Sequence, residues 1–162
     1  MLAGKKLSKE EAFKKIKHYC GYQERSHNEV KEKLYGFGLY KAEVEEIISD
    51  MIENNYLNEE RFAIHFAGGK FRIKQWGRKK ILYQLQQKGV NKSNIKIALK
   101  EIDEEQYLAT LEKLAFRKWT ELTGEQYLLR QSKTNAYLLH KGYEQSLISS
   151  VIQQLAAKNK KP

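Results

Sequence analysis

The fold is decided by one stretch of sequence that occurs three times with the same apolar spacing. It reads LYGFGLYKAEVEEIISDM at residues 34–51, LQQKGVNKSNIKIALKEI at 85–102 and LLHKGYEQSLISSVIQQL at 138–155. In each copy a leucine stands four residues before a glycine, and the later apolar residues keep the three- and four-residue spacing of one helix face. The glycines are 51 and 53 residues apart, an interval that indicates stacked copies of one small helical unit.

The composition also favours helices. Of the 162 residues, 41% are hydrophobic, which is enough to form a core, and the single proline is the last residue. A chain that is rich in Lys, Glu, Leu and Gln and has no proline before its last residue is typical of an all-helical protein. We therefore predict an all-α fold, an elongated array of three tandem three-helix repeats at residues 8–57, 58–102 and 103–157.

Capping patterns mark where several helices begin. Ser-x-x-Glu occurs at Ser8 and Ser26, Asn58 precedes two glutamates, and Asp103 stands three residues before Gln106. Gly68-Gly69 interrupts one helix and predicts a bend or a close backbone approach there. We expect frayed tails at residues 1–7 and 158–162.

Positive charge is concentrated in the middle of the chain. Residues 62–100 contain ten Lys and Arg and no Asp or Glu, whereas the segments on either side are nearly neutral. A solvated helix face normally mixes signs, because opposite charges three or four residues apart support the helix. The pattern predicts a polyanionic partner, either nucleic acid or an anionic groove on a nucleoprotein. The alternative is a basic face that serves solubility alone.

One part of this segment combines cations with an aromatic residue. The candidate contacts are Lys70, Arg72, Lys74, Trp76, Arg78, Lys79 and Lys80. The last three begin a predicted helix, where a phosphate would also find free backbone N–H groups. Trp76 either stacks on an exposed base or packs between two helices. The spacing of these residues does not indicate sequence-specific contacts to base edges, so we expect salt-dependent contacts to the nucleic-acid backbone.

Other classes of site find no support in the sequence. The lone Cys20 excludes an internal disulfide and falls on an apolar helix face, which favours packing over reactivity. The four histidines have no metal-ligand spacing, and no catalytic constellation can be assembled. We expect a cytoplasmic, monomeric protein that has no enzymatic activity, no cofactor, no metal and no membrane segment.

Several motifs resemble the RecX family. They are Arg25-Ser26-x-x-Glu29-x-x-x-x-Leu34, the run Asn55–Ala63, Trp76-Gly77, Leu85-x-x-Lys88-Gly89-Val90 and Ala98-Leu99. The resemblance covers residues 13–105 well, and beyond them only the helix pattern matches. Two positions depart from the family pattern, since aspartate is usual at Asn58 and tyrosine at Trp76.

The resemblance implies a function as well as a fold. RecX-like proteins are curved arrays of three-helix units that bind the filament formed by the RecA recombinase on single-stranded DNA. They depress strand exchange, ATP hydrolysis and the coprotease activity that triggers the SOS response. Arg25, Arg61, Lys88 and Gly77 are family-motif positions. Lys88 and Lys92 would extend the basic face. Arg25 and Arg61 could instead form salt bridges at helix ends, and Gly77 could serve only the turn.

A second class of function stays open. The last two helices of each repeat, joined at a glycine, form a helix–turn–helix-like pair. Such a module would bind DNA without RecA.

Overall fold

The computed structural model describes residues 6–159, and all regular structure within them is helical. The helices are α1 (Lys9–Tyr22), α2 (His27–Gly36), α3 (Lys41–Glu53), α4 (Glu59–Gly69), α5 (Arg78–Gln87), α6 (Lys92–Lys100), α7 (Glu104–Glu121), α8 (Tyr127–Lys141) and α9 (Gln145–Asn159). A π-helical turn, Lys70–Lys74, follows α4 directly. The predicted all-α fold with three helices per repeat is confirmed.

The predicted caps are present at the starts of four helices. Ser8 and Ser26 each accept a hydrogen bond from the backbone N–H three residues on, and the glutamate at that position accepts the serine N–H in return. Asn58 accepts from the N–H of Arg61 at 2.9 Å, and Asp103 accepts from Gln106 at 3.0 Å. These bonds satisfy N–H groups that a helix start otherwise leaves without a partner.

The repeated glycines share one backbone conformation. Gly38, Gly89 and Gly142 have φ angles of +89°, +79° and +102°, the left-handed region in which a helix commonly ends. The leucines four residues earlier, Leu34, Leu85 and Leu138, are fully buried. The repeat read from the sequence is therefore a repeat of backbone geometry.

The chain forms two compact units. The N-terminal unit contains the chain up to Phe66 together with Leu85–Ala98, and the C-terminal unit contains Ala67–Gln84 together with the chain from Leu99 onward. The boundaries fall within α4, α5 and α6, so the middle three-helix segment contributes to both units.

Cys20 packs at the edge of the N-terminal core. It lies partly buried against a cluster that includes Ile16, Leu34 and Met51. Burial raises the pKa of the Cys20 thiol to about 11, so the sulfur is protonated at neutral pH. This agrees with the interpretation of Cys20 as a packing residue.

The chain ends are more ordered than predicted. The N–H of Leu7 donates to the Phe37 carbonyl at 3.0 Å, and Lys6 pairs with Glu43 at 3.1 Å. At the other end, α9 continues to Asn159. The prediction of fraying is therefore wrong for these positions, and its remainder, residues 1–5 and 160–162, lies outside the described residues.

The helix passes through Gly68-Gly69 without a close backbone neighbour. Gly69 has ordinary helical dihedrals, φ −64° and ψ −45°, and a Cβ built there would meet no atom within 4 Å. A Cβ at Gly68 would lie 2.7 Å from Nη1 of Arg72, so this glycine leaves room for a side chain. The predicted backbone approach is absent at both glycines, and the helix widens into the π turn instead.

Candidate nucleic-acid interface

The predicted contact residues lie on one anchored segment of the C-terminal unit. We call residues 70–80 the basic loop; they comprise the π turn, a three-residue linker and the start of α5. Phe71 is 5% exposed and packs on Tyr107 of α7, with ring centroids 5.8 Å apart. Tyr107 packs in turn on Tyr143, at 5.1 Å. Three aromatic rings thus form a floor beneath the loop.

Backbone hydrogen bonds fix the loop to the turn between α8 and α9. The Tyr143 hydroxyl donates to the Gln75 carbonyl at 2.9 Å, and Gln75 itself adopts a left-handed conformation with φ 59°. The N–H of Gly77 donates to the Lys141 carbonyl at 2.8 Å, and that of Lys79 donates to the Gly142 carbonyl at 2.9 Å. The loop therefore has a defined shape before any ligand arrives.

Two glycines allow this close approach. A Cβ at Gly77 would lie 2.5 Å from the Tyr143 nitrogen and closer still to the carbonyl group of Gly142. A Cβ at Gly142 would lie 2.7 Å from the Lys80 nitrogen. Gly77 is thus more than a turn residue, because any side chain there would separate two backbones that hydrogen-bond to each other.

The loop presents cations that no acidic residue neutralises. Arg72, Lys74 and Lys79 are exposed, and Ile73 between the first two is 80% exposed. In the described part of the chain, none of these three cations, nor Lys80, forms an ion pair. Their charge is consequently available to an external anion.

Two lysine side chains lie beside the ring of Trp76. Its indole is half-buried, and the ammonium nitrogens of Lys70 and Lys80 lie 5.1 and 4.9 Å from the ring. Cation–π attraction of this kind holds a long side chain in place at little cost in solvation. The indole and both ammonium groups therefore belong to one surface.

Lys141 joins the basic loop from α8. Its Nζ donates to the Lys74 carbonyl at 3.1 Å. This residue was not predicted from the sequence, because Lys141 lies far along the chain in a nearly neutral segment. A signal was present, since Lys141 directly precedes a repeat glycine, as the motif residue Lys88 does.

Arg78 has a different environment from its neighbours. Its guanidinium pairs with Glu144 at 2.9 Å and Glu104 at 3.1 Å, and lies 3.9 Å from the Tyr107 ring centroid. The Nε contact with Glu144 is an ion pair without hydrogen-bond geometry. Burial alone would lower the pKa of Arg78, but the Tyr107 hydroxyl and both carboxylates outweigh it and raise the pKa. We therefore leave Arg78 out of the proposed contact surface.

We expect Arg78→Ala to destabilise the C-terminal unit by about 2–3 kcal/mol, because it leaves a half-buried Glu144 without its cation. Lys79→Ala is the matched control, since this neighbouring cation is exposed and should change stability by less than about 0.5 kcal/mol. Urea unfolding followed by far-ultraviolet circular dichroism measures both. Equal stabilities of the two variants would show that the ion-pair network contributes little.

Most of the backbone N–H groups at the start of α5 are already occupied. The N–H groups of Gly77, Arg78 and Lys79 donate to Lys141, Tyr107 and Gly142 respectively. The prediction that a phosphate would find free N–H groups at this helix start is wrong for these three positions. Side chains therefore supply most of the donors that the basic loop offers to an anion.

The other predicted site residues belong to the N-terminal unit. Arg61 donates to Glu24 at 2.7 Å and to both oxygens of Asn55, the internal salt bridge that was the alternative to a binding role. Arg25 forms no ion pair among residues 6–159 and instead donates to the Tyr19 carbonyl. Lys88 lies with its Nζ 5.6 Å from the Phe66 ring, and Lys92 is exposed at the start of α6.

The described residues form neither a metal-binding cluster nor a membrane-spanning helix. No group of three or more His, Cys, Asp or Glu side chains there could hold a metal ion. None of the helices in residues 6–159 has both the length and the apolar character needed to cross a bilayer.

Family models match the second and third repeats. The model of the second three-helix domain of RecX matches residues 58–99, and that of the third matches residues 104–152. Together they cover more than half of the chain. The resemblance therefore extends past residue 105, where the sequence motifs had become weak.

Individual relatives agree with these models. Regulatory protein RecX of Clostridium perfringens strain 13 is 31% identical over 93% of this chain and 73% of its own length. That of Prosthecochloris aestuarii is 29% identical over 85% and 88%. That of Oceanobacillus iheyensis is 28% identical over 85% of this chain but 51% of its own length, so the chain spans about half of that relative.

A solved structure shows the same fold. The crystal structure of RecX from Lactobacillus salivarius aligns with a TM-score of 0.84 at 23% identity, over 92% of this chain and 97% of that one. With two domain models, a relative above 30% identity and this fold in agreement, the chain belongs to the RecX family.

Proposed function

We propose that this chain is a cytoplasmic, monomeric negative regulator of RecA. It binds the RecA–single-stranded-DNA filament and inhibits the recombinase, ATPase and coprotease activities. The observation that carries the proposal is the anchored basic loop, whose exposed cations have no acidic partner among the described residues. Membership of a family of regulatory proteins supports the same reading.

The chemistry of the loop favours a phosphate backbone over a specific base sequence. Apart from Arg78, which is paired with carboxylates, its cations are four lysines and Arg72 on a fixed loop, with a half-buried indole among them. Ammonium and guanidinium groups contact phosphate regardless of the base attached, so binding should depend strongly on salt. A filament that displays regularly spaced phosphates and acidic protein surface would satisfy several of these cations at once.

The proposal is tested by titrating the protein into a RecA-dependent ATPase assay on single-stranded DNA. We expect steady-state ATP hydrolysis to fall at ratios well below one molecule per RecA protomer, because each molecule bound to a filament affects many protomers. Unchanged hydrolysis at an equimolar ratio would contradict the proposal.

The second candidate is a DNA-binding module that needs no RecA. It is favoured by the glycine-joined helix pairs, α2 with α3, α5 with α6 and α8 with α9. Filter binding separates the two candidates. A filament regulator binds the RecA filament more tightly than naked DNA at physiological salt, whereas a DNA module binds naked single or double strands without help.

A further inference from the structure

A cleft in the N-terminal unit combines cations with aromatic rings. It lies along α1 and α2 and has a volume of about 860 Å³, within the range of small-molecule and nucleotide sites. Its cations are Lys14, Lys15, Arg25 and Lys33. Its aromatic residues are Tyr19, Tyr22 and Phe37.

Arg25 is held ready for an anion. Its Nε donates to the Tyr19 carbonyl at 3.1 Å, and its guanidinium carbon lies 3.7 Å from the Tyr19 ring centroid. The guanidinium is thereby fixed against an aromatic ring, and its Nη atoms donate to no acceptor among the described residues. A guanidinium fixed in this way offers a planar fork of donors that fits a phosphate.

The lysines of the cleft are interleaved with the rings. The Nζ of Lys33 lies 5.2 Å from the Tyr19 ring and 5.9 Å from the Phe37 ring, and that of Lys15 lies 6.0 Å from Phe37. Tyr22, at the end of α1, is 80% exposed. An exposed ring beside several cations is the arrangement on which single-stranded nucleic acids stack.

Among residues 6–159, the cations of the cleft have no carboxylate in direct contact. Some basic residues of the N-terminal unit do pair with carboxylates, as Lys6 does with Glu43, and Lys41 with Glu45. The four cations of the cleft form no ion pair in the described part of the chain. One carboxylate lines the cleft, that of Glu11, and it accepts the N–H of Ser8 in the α1 cap.

We propose that this cleft binds a nucleotide unit of single-stranded DNA. A base stacks on Tyr22, and Arg25, Lys14 and Lys33 hold the adjoining phosphates. The cluster of unpaired cations favours an anionic ligand, and the exposed ring beside them favours one that also carries a planar group. The inference deepens the proposed function and rests on it for the source of the single strand.

The test uses the full chain and an oligothymidylate containing 5-iodouracil, without RecA and at low salt. Ultraviolet cross-linking followed by mass spectrometry should place the iodouracil on the peptide that contains Tyr19 and Tyr22. Tyr22→Ala should weaken oligonucleotide binding about tenfold through loss of stacking. Joint replacement of Lys14 and Lys33 by glutamine should weaken it by a similar factor.

Matched controls exist in the same unit. Tyr40→Ala removes a tyrosine that is 71% exposed, and Lys31→Gln removes an exposed α2 lysine outside the cleft. Both should bind like the unmodified chain. Cross-links confined to the basic loop, or equal binding by Tyr22→Ala and Tyr40→Ala, would overturn the inference.

Two further arms separate this inference from others. Thymidine monophosphate and an unlabelled oligonucleotide are each tested as competitors of the iodouracil oligonucleotide. If the two compete at the same concentrations, the cleft is a mononucleotide site, and the inference that it binds a DNA strand is contradicted. The same protein is also assayed for its effect on RecA ATP hydrolysis. A cross-link at Tyr22 together with unchanged ATP hydrolysis would support DNA binding in the cleft and contradict the proposed function.

Discussion

Replacing Gly77 with alanine is expected to destabilise the C-terminal unit by at least about 3 kcal/mol. The added Cβ would lie 2.5 Å from the Tyr143 nitrogen, where backbone and not a mobile side chain must move. Relieving the clash breaks the hydrogen bonds from Gly77 to Lys141 and from Lys79 to Gly142. The basic loop would then lose its attachment to the turn between α8 and α9.

Gly69→Ala is the control for this variant. Gly69 has helical dihedrals and no atom within 4 Å of a built Cβ, so alanine there should be neutral or stabilise by up to about 1 kcal/mol. Urea unfolding measures both, and hydrogen exchange of the amides at residues 77–79 reports the loop directly. A Gly77→Ala variant as stable as Gly69→Ala would refute the close approach.

Removing the charge of the basic loop is expected to abolish inhibition of RecA. The variant replaces five residues with glutamine: Lys70, Arg72, Lys74, Lys79 and Lys80. At about 0.5–1 kcal/mol for each ionic interaction, their joint removal weakens filament binding by about 2.5–5 kcal/mol, which is roughly 60- to 4,000-fold in affinity. Arg78 is retained because its charge stabilises the fold through Glu104 and Glu144. Circular dichroism should therefore stay unchanged, and the ATPase titration measures the decrease in inhibition.

A second variant with the same net charge tests whether position matters. It neutralises five exposed cations outside the loop, namely Lys96, Lys100, Lys113, Arg117 and Lys158. We expect it to keep nearly full inhibition, because electrostatic attraction between exposed charges weakens beyond about 10 Å at ordinary ionic strength. Equal reduction of inhibition in both variants would mean that only overall charge counts.

The repeat was predictable because its signals are local. The glycine in each copy ends a helix within four residues of the leucine that packs beneath it, and the serine caps act over three residues. The π turn was not predicted, since nothing in Lys70–Lys74 distinguishes one extra residue per turn from an α-helix. Its anchors, Tyr107 and Tyr143, come from distant positions in the chain.

The positive charge of the candidate site could be predicted from the sequence, but the residues that pair with its cations could not. Counting charges identified the acid-free segment, but could not show that Arg78 meets Glu104 and Glu144 from the next repeat. The same charge count gave no indication of the cleft along α1 and α2. Residues 1–61 contain nearly equal numbers of acidic and basic residues, and only the fold separates the paired ones from Arg25 and its neighbours.

The most direct test of the central claim is the salt dependence of filament affinity for the unmodified chain and the five-residue loop variant. If the loop cations bind phosphates, the plot of log affinity against log salt concentration should be shallower for the variant by roughly 0.7 for each phosphate that is no longer neutralised. The control variant should keep the slope of the unmodified chain. Equal slopes for the unmodified chain and the loop variant would contradict the claim that this loop binds the filament.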